Sequence, residues 1–244
     1  MARALLSRPA TMKNARVMRL QRGFSFIETI VMLAVVGLLL ALTVPNLLYL
    51  MRRNRLETTA SEVGMMVGRA RMEAIRRGVP VVMRPDLETS EIVIFADIND
   101  DDGDPGSDLV FNPQDGAVSG TTDYQIARLQ IPAGSLFWGP GDSEAGGEAA
   151  IEGFTELGGD ADDPPGAVLE RDGTIRDVGA FHFGFPDPND PNDPGRVNIL
   201  QVLISPAATA RVQIRKFDPE RTAGTDGTHF YTRGEDDQPW RWFE

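Results

Sequence analysis

GFSFIETIVMLAVVGLLLALTVPNLLYL, residues 23–50, is the stretch on which the reading of the whole chain turns. From Phe24 to Leu42 it is nearly all apolar, and its one charged side chain is Glu28. About 20 helical residues cross the hydrocarbon core of a bilayer, so this run predicts a membrane-spanning helix. A carboxylate inside such a span costs roughly 2.5–3.5 kcal/mol on the insertion scale, so Glu28 needs a partner or a reach to headgroup water. Pro45 removes one backbone hydrogen bond and predicts a bend near Thr43 and Val44.

The segment before this run holds Arg3, Arg8, Lys13, Arg16, Arg19 and Arg22 and no acid. Such a flank stays cytoplasmic, which sends the chain beyond Leu50 across the membrane. Removing those six positive charges takes the formal net charge from −12 to −18 for the remainder. A body of that charge repels nucleic-acid backbones, so nucleic acid is not an expected partner. The chain contains no cysteine, which excludes disulfides, thiolate metal sites and cysteine nucleophiles.

The run Gly23-Phe24-Ser25-Phe26-Ile27-Glu28 resembles the type IV prepilin cleavage motif. Gly37 and Pro45 stand where helices of that family usually carry a glycine and a proline. The resemblance implies a prepilin peptidase that cuts after Gly23 and methylates the new amine of Phe24. It also implies that Glu28 sets the register between subunits in a filament whose helices bundle centrally, with Pro45 shaping the helix. The implied partners are other pilins or pseudopilins met through this helix, the prepilin peptidase and an inner-membrane assembly platform, with a separate motor ATPase. The implied location is a single pass of the inner membrane, amino terminus cytoplasmic and head periplasmic, then a periplasmic or surface filament.

Beyond Pro45 the pattern becomes amphipathic, with Leu56, Val63, Met66, Val67, Ala70 and Ala74 at helical spacings. Gly78 and Pro80 stop it. Three regions follow: a basic leader over 1–23, one helix over 24–78 whose first part, 24–48, spans the membrane, and a β-rich head over 79–244. Strands are expected at 79–84, 91–97, 124–131, 134–138, 151–157, 167–171, 174–178, 180–185, 197–204 and 209–217, with a hairpin turn at Asp172-Gly173. The fold class is α+β: a long amino-terminal helix packed on an antiparallel sheet or sandwich.

The stretch Ala70-Arg71-Met72-Glu73-Ala74-Ile75-Arg76-Arg77-Gly78 is similar to the helix end of the minor pseudopilin H and minor pilin T group. That likeness implies a structural subunit that initiates or caps a type II secretion pseudopilus or a type IV pilus. The alternative is a DNA-binding minor pilin for natural transformation.

Asp97, Asn99 and Asp101 alternate in an acidic loop and suggest calcium, although the EF-hand spacing fails at Asp102 and Asp108. The competing reading is a solvated turn. No phosphate loop, nucleophile elbow or zinc pattern occurs, so no enzyme activity is expected. His182, inside the alternation FHFGF, reads as a strand surface position. The aromatic and arginine residues of the tail, Trp240 and Trp242 among them, read as packing groups for the head or a neighbouring subunit.

Overall fold

The computed structural model describes residues 25–98, 109, 123–133, 135–142, 146–157, 165–186, 197–220, 229–234, 240 and 242. Its first element is a single helix, α1 (Phe26–Arg77), of 52 residues. The chain divides within α1 into two compact units, Met1–Asn46 and Leu47–Glu244.

In the first unit the described part of α1 is apolar and exposed throughout. The helix runs through Pro45 unbroken. Thr43 stabilises the turn before it, its Oγ1 donating to the carbonyl of Leu39 at 2.8 Å.

In the second unit, the described residues form eleven strands after the carboxyl half of α1: β1 (Val81–Asp86), β2 (Glu91–Ala96), β3 (Tyr124–Gln130), β4 (Leu136–Phe137), β5 (Ile151–Glu152), β6 (Thr155–Glu156), β7 (Pro165–Leu169), β8 (Gly179–Phe185), β9 (Asn198–Ile204), β10 (Val212–Phe217) and β11 (Phe230–Thr232). They form two antiparallel sheets. One has the order β3-β2-β1-β7-β6, the other β11-β10-β9-β8-β4, with β5 also paired to β8. The α+β architecture expected from the sequence, a long helix packed on antiparallel sheets, is therefore the observed one.

The helix contributes Leu56, Ala60, Val63, Val67, Ala70 and Ala74 to the core, all fully buried. They meet Val81, Met83, Ile92 and Ile94 from the first sheet and Phe181, Phe183, Leu200 and Val202 from the second. Small residues at 60, 70 and 74 let the backbone approach the sheets, while Leu56 and the two valines fill the wider gaps. Each sheet also buries its opposite face. Val82, Phe95, Leu157 and Val168 pack behind the first, and Trp138, Val197, Ile199 and Phe230 behind the second. Strands β8 and β9 are thus apolar on both faces, which is why their sequences read as near-continuous hydrophobic runs.

Three expected features differ. The single strand at 151–157 is two, β5 and β6, parted at Gly153, whose φ of 80° breaks the extended run. The segment 174–178 forms no strand beyond an isolated bridge from Ile175 to Leu169. The Asp172-Gly173 turn itself is present, with Asp172 Oδ1 accepting from the Thr174 amide and hydroxyl and Gly173 at φ 82°. The third is β11, a strand beyond those expected from the sequence, paired to β10.

Candidate functional site

Glu28 lies in the first turn of α1 on an exposed position. A carboxylate there interacts favourably with the positive end of the helix dipole. Among the described residues it makes no salt bridge and no side-chain hydrogen bond. Around it Phe26, Ile27, Ile30 and Val31 present their side chains outward, Phe26 being 82 % exposed. The helix is long and apolar enough to cross a membrane, and its whole 18-residue apolar window is unburied among the described residues. Gly23 and Phe24, at which the cleavage was expected, lie outside the described residues.

On the head-bearing half of α1 a stripe of uncharged residues runs along the side turned away from the sheets, with Arg55, Arg69 and Arg76 exposed beside it. Met51, Asn54, Thr58, Ser61, Met65, Gly68, Met72 and Ile75 recur every three or four residues and all are exposed. Thr58 and Ser61 turn their hydroxyls back to the carbonyls of Asn54 and Glu57 at 2.8 Å, which lowers the polarity of the face. A Cβ built on Gly68 would meet nothing within 4 Å, so an approaching chain finds bare backbone there.

The helix end that prompted the subgroup likeness has a structural account in this molecule. Ala70 and Ala74 are buried between the sheets. Glu73 binds Arg76 at 2.6 Å and Arg77 at 2.9 Å, and these two hydrogen-bonded guanidiniums hold its carboxyl below the usual range. Gly78 adopts φ 68° and donates its N–H to the carbonyl of Ala74 at 2.9 Å, closing the last turn.

Of the residues suggested for calcium, Asp97 is buried, and its Oδ2 accepts the N–H of Leu109 at 2.8 Å across the loop. Asn99 and Asp101 lie outside the described residues. Among the described residues no cluster of three acidic or histidine side chains is placed to hold a metal ion.

The tail tryptophans pack on the head. Trp242 stacks on Phe185 with ring centroids 6.4 Å apart, and lies against both the Arg53 guanidinium and the Lys216 ammonium at 4.9 Å. Trp240 meets Trp242 edge-on and carries Arg233 over its face at 5.2 Å. Arg233 also reaches Glu57 of α1 at 3.7 Å.

His182 is not on a surface: it is fully buried on the outer side of the second sheet, stacked against Phe230 at 5.2 Å. Burial pushes its pKa down to about 4, against the opposing pull of the backbone of Ala150 and Ala149 and of the Asp142 charge. In register it faces Gln201, whose Nε2 stands 3.1 Å from the imidazole Nε2. In front of this pair opens a cavity of about 450 Å³, lined by Pro140, Ala149, Ile151, Glu152, Gln201, Phe217, His229 and Phe230. The fold thus brings His182 and His229, 47 residues apart, to one region of the second sheet. The alternation in FHFGF places His182 opposite Phe181 and Phe183. It could not show that a second apolar layer covers that side.

Comparison of the chain with protein families, curated proteins and solved structures gives no match in any of the three.

Proposed function

We propose that this chain is a minor pilin or pseudopilin, a membrane-inserted subunit that helps initiate or cap a type II secretion pseudopilus or a type IV pilus. The observation that carries this reading is the exposed apolar part of α1, residues 26–46, whose only charge, Glu28, has no salt-bridge partner among the described residues. An apolar rod with one carboxylate near its end is stable in a membrane or among like helices. Cutting after Gly23 would create an amine at Phe24, and the amine of a neighbouring subunit would neutralise Glu28. The uncharged stripe from Met51 to Ile75 supports the same reading, since it lets a second helix pack on the side that the head leaves free.

In this proposal the prepilin peptidase, the inner-membrane platform and the other subunits act on α1. The head stays on the outer side of the membrane. The test is Glu28→Gln in the native cells. Processing of the variant continues, and its incorporation into filaments falls by about tenfold or more, in line with the cost of losing the charge pair. Incorporation at the wild-type level would contradict the assembly role.

A further inference from the structure

The cavity on the outer side of the second sheet has the composition of a binding site that filament assembly does not use. Its floor carries Gln201, 5 % exposed, whose amide nitrogen is committed to His182. With that nitrogen donating, the facing imidazole nitrogen is the acceptor of the pair. The other end of the amide, Oε1, is buried and makes no hydrogen bond. A buried acceptor left open costs about 1–3 kcal/mol, which a donor from a ligand would recover.

The walls are the rings of Phe217 and Phe230, their centroids 5.2 Å apart, with Pro140 and Ile151 opposite. The one acidic group among the described lining residues is Glu152, at the rim with a side chain 73 % exposed, 4.0 Å from the His182 imidazole. Among the described residues no lysine or arginine lines the cavity. Aromatic faces, an open acceptor and a carboxylate all favour a positive guest with N–H donors and an apolar stem. The volume, about 450 Å³, lies within the range of small-ligand sites.

We propose that this cavity binds an organic cation, an alkyl- or arylammonium or guanidinium group, with its N–H donors on Gln201 and Glu152 and its stem against the cavity side of Phe217 and Phe230. The same chemistry is offered by a free amine and by a lysine or arginine side chain of a partner protein.

The test uses the full chain in nanodiscs with methyl-labelled isoleucine, since Ile151 lines the cavity. Phenethylammonium is titrated against its neutral counterpart 2-phenylethanol. The Ile151 resonance shifts saturably with the ammonium, at an affinity about tenfold above the alcohol. Glu152→Gln, at an exposed position that leaves the fold intact, weakens the ammonium about fivefold and leaves the alcohol unchanged. Gln201→Leu weakens it further. Equal binding of ammonium and alcohol, or no movement of Ile151 with either, overturns the proposal. A capped peptide with one internal arginine that binds more tightly than phenethylammonium assigns the site to a partner's side chain. The reverse order assigns it to a small amine, and both orders uphold cation recognition.

Discussion

Lys216 is a cation held inside the head. It is fully buried on β10, donates from Nζ to the carbonyl of Phe217 at 3.0 Å and lies over the Trp242 ring. Burial lowers its pKa from 10.5 to about 8; the nearby Asp218 charge opposes the shift and Arg53 adds to it. The unfolded chain keeps this proton up to its higher pKa, so between pH 8 and 10.5 it binds more protons than the folded chain, and stability rises with pH across that window. The penalty is fully present below pH 8 and is relieved as the ammonium deprotonates. Thermal melts of wild type and Lys216→Met should therefore diverge in slope. The wild type gains on the order of 2–3 kcal/mol across the window that the variant does not, and parallel curves would show that Lys216 does not titrate in it. His182 also carries a residue-scale lesson. Its neighbours in sequence announce a strand, but its burial depends on β11 and on the segment from Pro140 to Ile151, which are distant in sequence and carry little strand signal of their own.

At the scale of the element, α1 presents two faces with different consequences. Leu56→Ala removes a fully buried side chain between the sheets and should cost about 2–5 kcal/mol in urea unfolding. Met72→Lys, at a position 67 % exposed, should change stability by no more than about 0.5 kcal/mol. On the proposed function it should nonetheless abolish incorporation into filaments, and a normal level there would remove the stripe from the assembly surface. Gly78→Ala, forced to φ 68°, should cost about 1 kcal/mol by the same unfolding measurement. The helix was legible because its signals are local: the apolar run, the periodic stripe and the glycine stop all act within a few residues. The long strands were legible for the same reason. The short ones were legible in place but not in length: β4, β5 and β6 lie inside the stretches expected at 134–138 and 151–157, yet are two residues each and are set by pairing with β8 and β7. The expected strand at 174–178 failed because Asp172 closes a tight turn on Thr174 and the chain leaves the sheet after one bridge.

At the scale of the whole molecule, the head can bury a core without disulfides because one helix face serves both sheets and each sheet has a second apolar layer. The described part of the first unit is exposed throughout, and on the proposed function its stability comes from a membrane or from other copies. The tail ties this architecture together, since Trp242 touches Arg53 of α1, Phe185 of β8 and Lys216 of β10. Trp242→Ala should lower stability by about 1–3 kcal/mol, read by thermal unfolding at constant protein concentration. Wild-type stability would mean that these ring contacts contribute nothing net. The cation site was not legible at all in the sequence. Its members come from the segment before β5 and from β5, β9, β10 and β11, and only the register of β8 against β9 sets His182 beside Gln201.

The most direct test of the central claim is the mass of the protein in its native cells, measured in sheared filaments and in washed membranes. The account predicts a mature species that begins at methylated Phe24, present in low amount in filaments for a minor pilin or held in membranes for a pseudopilin. A chain that still carries residues 1–23 in both fractions would contradict it.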